Sequence, residues 1–355
     1  MAVAGVAGTL LLAAAAVCLG SGCSSLGYVA QAADGHLTLL HKARPVAGVL
    51  ADATTPATLR QRLELSQRMR DFASSELGLP ANNSYRRYAD LQREAVVWNV
   101  VAAPALSLTL KTWCFPVMGC VGYRGYFARD AADRLASELR AAGWEAAVYG
   151  VPAYSTLGWS NWVGGDPLLN TFLSWPEGEL ARLIFHELSH QVAYAADDTT
   201  FNESFAVAVE RIGGQRWLDR FGSASARAEN DTIERRRRDF RAFTQRWRGE
   251  LESLYASQGT DDDKLQRKAA LMVALRADYA RLKTQDWGGY AGYDGWLARA
   301  NNASFAVLAA YNELVPQFEA LFQRSGGDFA RFYAAVQELA ALPKDQRRAK
   351  LAPPH

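Results

Sequence analysis

The chain has 355 residues and a net charge of +2, with 49% hydrophobic and 21% charged residues. That balance suits a globular protein with a substantial core and one or two domains, and it gives no electrostatic case for nucleic-acid binding. Four Cys are too few for a disulfide-dense scaffold.

Val3 to Leu19 is apolar and small, and Leu19-Gly20-Ser21-Gly22-Cys23 follows. Residues 1–22 therefore read as an export signal ending at a lipidation cysteine, Cys23, which places the protein on the periplasmic side of a bacterial envelope. No Lys or Arg precedes the run, and Gly20 stands where such signals usually carry Leu, so an uncleaved anchor and a soluble periplasmic protein are the rival readings. The run is short for a membrane span, which favours cleavage. Residues 23–83 form a helical arm. Its clearest helix runs from about Pro56 to Leu77, capped by Thr55 and stopped by Gly78 and Pro80. His36 and His41 have no ligand set beside them.

Residues 84–222 alternate strands and helices. Val96, Val97, Trp98, Val100 and Val101 form the near-continuous apolar run of a buried strand. Leu106, Leu108 and Leu110 alternate with polar residues and predict a half-buried strand. In an oxidising compartment Cys114 and Cys120 are expected to pair as a disulfide. A helix from Phe127 to Ala142 ends at Gly143, and Trp144 to Val151 is the next strand. A strand placed just ahead of the metal-binding stretch suits a sheet edge that pairs with extended peptide; an ordinary edge strand is an equal reading.

The stretch from Ser174 to Val209 organises the chain. Ser174 and Glu177 read as a capping box, Pro176 fits an early helical position, and Leu180, Leu183, Ile184, Leu188 and Val192 supply an apolar stripe. On that helix His186 and His190 lie one above the other, so both imidazoles can reach one metal ion. Glu187 sits beside them as a general base. A catalytic Zn²⁺ takes three protein ligands and leaves a fourth position for water. No His follows His190 until His355, so the third ligand must be a carboxylate. After Asp197-Asp198, Thr199 or Thr200 caps a second helix, and Glu203, thirteen residues past His190, is the expected ligand. Glu210 and Asp198 are its rivals; Glu210 lies roughly 10 Å further along the axis and suits a supporting role better.

Residues 223–355 form a helical lobe. Gly213 and Gly214 end the glutamate-bearing helix. Residues 224–283 make an antiparallel helical hairpin, in which Arg235 to Arg238, flanked by acids, is a solvated face. Trp287 to Trp296 is rich in Gly, Tyr and Trp, and a helix carrying Tyr311 follows. With no His left in the C-terminal region apart from the last residue, His355, to stabilise an oxyanion, a tyrosine is implied, and Tyr290, Tyr293 and Tyr311 are candidates. The basic tail is expected to be loose.

His-Glu-Leu-Ser-His-Gln followed by Asp-Asp-Thr-Thr-Phe-Asn-Glu-Ser-Phe-Ala resembles a family of bacterial lipoproteins described as putative aminopeptidases, built on the gluzincin HExxH pattern. The segments around Cys23, Cys114–Phe127 and Gly150–Phe172 are similar to that family's too. The resemblance implies that Glu203 ligates zinc and that Cys23 is lipidated. It also implies an α+β, zincin-like fold: a mixed β-sheet over about residues 84–163, packed on the HExxH helix, with a mainly helical C-terminal lobe. The expected activity is a zinc-dependent peptidase holding one Zn²⁺, with a peptide or protein substrate and a membrane contact through the N-terminal lipid. The alternatives are a zinc amidohydrolase acting on another envelope amide and a non-catalytic zinc-binding lipoprotein. The Gly-x-Met-Glu-Asn signature that captures a free amino terminus in well-known gluzincin aminopeptidases is absent from the chain.

Overall fold

A computed structural model describes residues 23–115, 119–153, 156 and 164–351. The signal segment, most of the stretch from Tyr154 to Val163, and His355 lie outside the described residues. Helix α1 (Cys23–Lys42) leads through β1 (Arg44–Pro45) and α2 (Val46–Ala51) to α3 (Ala57–Ser75). The strands β2 (Arg87–Ala89), β3 (Val97–Pro104), β4 (Trp113–Phe115), β5 (Gly119–Val121) and β6 (Arg124–Tyr126) follow, then α4 (Arg129–Ala141) and β7 (Trp144–Val151). After β8 (Leu168–Leu169) and the short α5 (Asn170–Leu173) come the metal helix α6 (Glu177–Ser189) and the glutamate helix α7 (Thr199–Phe221).

The hairpin is α8 (Ala224–Ala256) and α9 (Asp261–Arg281), extended by a π-helical turn, Leu282–Asp286. The chain closes with α10 (Asp294–Arg299), α11 (Asn302–Asn312), α12 (Val315–Arg324), α13 (Phe329–Ala340) and α14 (Lys344–Leu351). No helix among the described residues is long and apolar enough to cross a membrane.

The architecture is α+β and mostly helical, and among the described residues three small sheets stand in place of the single mixed sheet expected over residues 84–163. An antiparallel sheet has the order β6-β3-β7; a second sheet joins β1, β2 and β8; β4 and β5 form a hairpin. Strand β3 is apolar almost throughout because both its faces are covered. Val100 and Ala102 meet Ala132 and Ala136 of α4, while Val101 and Ala103 meet Ala303 of α11. Residues 105–112 form no strand. β7 takes one edge of β3 and β6 takes only Trp98 to Val100 of the other; the chain turns straight after β3, with Ser107 N donating to Pro104 O at 3.3 Å, and Lys111 N reaches the open part of the edge at Ala102 O, 2.7 Å. Leu108 and Leu110 serve instead as side-chain packing.

The main core lies between α3, the two metal-site helices and α12–α13, with Phe185, Phe201, Phe205, Phe318 and Phe332 buried together. A second cluster of Phe240, Phe243, Trp247, Tyr279, Trp287 and Phe305 binds the hairpin to the segment after it.

Several local expectations are corrected. Ser174 terminates α5 rather than capping the metal helix, whose N-cap is Pro176; Glu177 instead accepts a hydrogen bond from Trp217 Nε1 at 2.9 Å. Pro56, not Thr55, precedes α3, and the Thr55 hydroxyl donates to Val49 O at 2.7 Å. Helix α7 runs through Gly213 and Gly214 to Phe221. These glycines mark the crossing with α6: a Cβ on Gly214 would sit 2.5 Å from Arg182 Cγ, and one on Gly213 3.0 Å from the Phe185 ring. The basic tail is ordered as α14, with Arg347 and Leu351 buried.

Candidate metal centre

Local chemistry brings the two metal-site helices together. After His190 the chain loops back through Asp197, which sits at φ 62°, to Asp198. Asp198 caps α7 by accepting from Phe201 N at 3.1 Å, in place of the threonines expected there. Asn202 closes the loop at both ends: its Oδ1 accepts from Ala195 N and its Nδ2 donates to Ala195 O, each at 2.8 Å. With the start of α7 fixed, its first turn delivers Glu203 to the histidines.

The structure brings together the three predicted ligands. Glu203 Oε2 lies 3.3 Å from His186 Nε2 and 3.8 Å from His190 Nε2. One ligand atom from each of His186, His190 and Glu203 falls within a common 4.8 Å. All three residues are at most 9% exposed, and His190 Nδ1 is buried with no hydrogen-bond partner among the described residues. Two imidazoles and one carboxylate are the donor set expected of a divalent transition metal. A cation would also take up the buried negative charge of Glu203, so the residues fit a metal.

Electrostatics follow from burial and close pairing. Burial pushes the His190 imidazole down to about 4, disfavouring its charged form. Burial acts the same way on His186, but hydrogen bonds to Glu203 and Glu210 outweigh it and hold that ring well above the usual value. The Glu187 carboxyl is pushed up to about 7 by burial, against the opposing pull of His186 and with the added repulsion of Glu203 and Asp166. That places its proton affinity where a general base or acid operates near neutrality.

Glu210 is not a ligand. It accepts from His186 Nδ1 at 2.9 Å and from Arg182 at 2.6 Å, so it fixes the ring's tautomer and turns Nε2 toward Glu203. Burial opposes its charge, yet Arg182 and His186 hold its carboxyl down to about 2. Arg182 also pairs with Glu234 of α8, and Arg237 joins Glu234 to Glu179 at the start of α6. Part of the arginine run is thus built into the site's support rather than left on a solvated face. Asp198, the other rival ligand, is spent on the cap and on Arg347 and Arg348.

The tyrosines fall differently from expectation. Tyr293 stacks on Phe240 with ring centres 3.9 Å apart, and Tyr290 lies under Arg236, both within the hairpin's aromatic cluster. The structure does not bring either to the ligand set. Tyr311 lies on α11, and its side chain is outside the described residues. Among the described residues, the tyrosines within electrostatic reach of Glu203 are Tyr123 and Tyr194, whose hydroxyls are raised first by burial and then by that carboxylate. Tyr194 stands four residues after His190, a spacing that could have suggested it; Tyr123 carries no local signal.

Tyr123 is delivered by the β4–β5 hairpin. A disulfide joins Cys114 to Cys120, and Cys120 N donates to Asp197 Oδ1 at 2.5 Å, docking the hairpin on the loop between the metal-site helices. Arg124 lies over the rings of Tyr28 and Tyr126, in keeping with a structural role. Cys23 begins α1, and its side chain is outside the described residues.

No curated protein and no solved structure matches the chain. A family match extends over residues 27–351, from the first helix to the last and across both metal-site helices, and on that coverage the chain belongs to the family described as Putative aminopeptidase.

Proposed function

We propose that the protein is a zinc-dependent peptidase with His186, His190 and Glu203 as zinc ligands and Glu187 as general base. The single observation that carries this reading is the convergence of those three side chains in a buried site, with the Glu187 carboxyl held near neutrality beside them. Bound there, one Zn²⁺ supplies Lewis-acid polarisation of the scissile carbonyl and acidification of water.

Glu187 accepts the proton of the attacking water and returns it to the departing amine. Tyr123 and Tyr194, protonated at neutral pH and within electrostatic reach of Glu203, are our candidates for the hydroxyl that donates to the oxygen that gains charge. Glu210 keeps His186 in the ligating tautomer. The antiparallel sheet packs on α4 and α11 rather than on the metal helix, so a zincin-like architecture is supported only by the HExxH helix and the glutamate helix packed against it. The signal-like stretch ending at Cys23 supports attachment to the envelope through a lipid, with peptides or proteins of that compartment as substrates.

The decisive experiment compares Glu187→Gln with the unaltered protein. The variant is expected to retain one equivalent of zinc by elemental analysis while peptide-library cleavage falls by roughly 10²–10⁴-fold, the range of a lost general base. Undiminished cleavage would remove Glu187 from the mechanism, and a metal-free protein prepared in excess zinc would remove the ligand set.

A further inference from the structure

Two adjoining hollows follow the outer edge of β7. On the face toward α11, Val101, Ala147, Trp296, Val307 and Leu308 form an apolar wall. At the edge itself, Arg129, Arg140, Arg299, Asp133 and Asn301 surround Ala146 to Val148. Ala147, Val148 and Arg299 line both hollows, so they form one groove with an apolar half and a cationic half.

The apolar half also contains Tyr149, whose hydroxyl accepts from Asn99 Nδ2 at 3.3 Å. Tyr149 packs in the same cluster as Tyr123, the tyrosine that Glu203 reaches electrostatically, so this end of the groove is the one turned toward the candidate metal centre. Tyr149 and Ala146 are three residues apart on an extended strand, about 10 Å. That is the reach of a short extended peptide.

The cationic half has charge to spare. Arg129 is shared with Asp133 at 3.4 Å, and Arg140 is turned onto the backbone of Ala146. Arg299 has no ion-pair partner among the described residues. Three guanidiniums around one carboxylate leave an excess of positive charge suited to a carboxylate ligand.

The strand edge adds direction. No described strand pairs with β7 on this side. The Ala146 carbonyl points outward, because Arg140 Nη2 and Asn301 Nδ2 donate to it at 3.1 and 3.2 Å. By the alternation of an antiparallel ladder, the N–H and C=O of Val148 share that outward edge. A peptide backbone can therefore pair at Val148 but is blocked at Ala146, where side chains already occupy the carbonyl. A chain lying in the groove must end there.

We propose that this groove binds the free C-terminal carboxylate of a short peptide whose last side chain is apolar, with Arg299 as the principal cation and Val101, Trp296 and Val307 around the side chain. The inference rests on the peptidase reading only for what happens at the metal end. It makes the substrate class short peptides with free C-termini rather than the interior of long chains.

The test is calorimetric binding to full-length Glu187→Gln protein loaded with zinc, with Ala-Ala-Leu as the free acid, the same peptide as its C-terminal amide, and octanoate. The acid is expected to bind roughly tenfold or more tightly than the amide, the scale of a charge-assisted hydrogen bond. Arg299→Gln should abolish that preference, and Val307→Trp should weaken acid and amide alike. Equal binding of acid and amide, or an acid preference that survives Arg299→Gln, overturns the proposal. Octanoate competing as well as the tripeptide overturns the peptide assignment, because a fatty acid cannot use the Val148 backbone. Acid-selective binding by a protein whose unaltered form cleaves no peptide keeps the groove and removes the peptidase reading. Cleavage without acid selectivity does the reverse.

Discussion

Each imidazole of the site has two ring nitrogens, and the histidines differ in what holds the second. His186 offers Nε2 to Glu203 because Nδ1 is engaged by Glu210, itself anchored by Arg182; His190 Nδ1 has no such partner among the described residues. Supporting carboxylates of this kind are worth about 10–100-fold in metal affinity. Glu210→Gln should therefore weaken zinc binding by about that factor in competition with a chromophoric chelator, while the fold survives. Zinc affinity equal to that of the unaltered protein would show that His186 is oriented by its helix alone. His186, His190 and Glu187 were legible in the sequence because helical spacing alone sets them on one turn. Glu203 was legible because a short loop returns the chain antiparallel. Tyr123 and Arg182 were not, since one depends on where a disulfide hairpin docks and the other on a neighbouring helix.

Between elements, close approach of α6 and α7 decides the site's geometry, and glycines permit it. Read along the sequence, Gly213 and Gly214 look like a helix stop; in three dimensions they are the contact surface. The helices of the hairpin and the strand Trp144–Val151 were legible from periodicity and caps, whereas the strand expected at Leu106–Leu110 was not formed, because the chain turns straight after β3 and its leucines pack as side chains instead. A substitution pair tests the contact. Gly214→Ala places its Cβ against the stem of Arg182, whose head is pinned between Glu210 and Glu234 and cannot retreat. Overpacking costs about 1–3 kcal/mol, offset by the ~1 kcal/mol helix preference of alanine over glycine. Gly249 of α8 has open space around it, so Gly249→Ala should gain that preference without penalty. In thermal melts the first variant should fall below the unaltered protein and the second rise above it; a rise in both would mean the α6–α7 contact yields easily.

Across the whole molecule, the C-terminal helix reaches back to the candidate metal centre. Arg347 and Arg348 of α14 each donate to Asp198 at 2.7 Å, and Asp198 caps the helix that carries Glu203. The Asp198 and Arg347 side chains are 1% and 4% exposed, so this is a buried pair, and removing one partner costs about 3–5 kcal/mol. Burial by itself raises the Asp198 carboxyl, but Arg348 and Arg347 outweigh it and hold the group below the ordinary carboxylate range. A carboxyl depressed on folding contributes stability that is present above its unfolded value, near pH ~3.9, and is lost as pH falls through the folded value. The unaltered protein should therefore lose stability as pH drops below about 4. Asp198→Asn should be less stable at neutral pH and show a shallower loss over that acid window, measured by urea unfolding across pH. Because the same carboxylate fixes the first turn of α7, the variant should also bind zinc more weakly at neutral pH, where the fold persists. An acid limb as steep as that of the unaltered protein would assign the pH dependence to other carboxyls and detach the C-terminal helix from the metal centre.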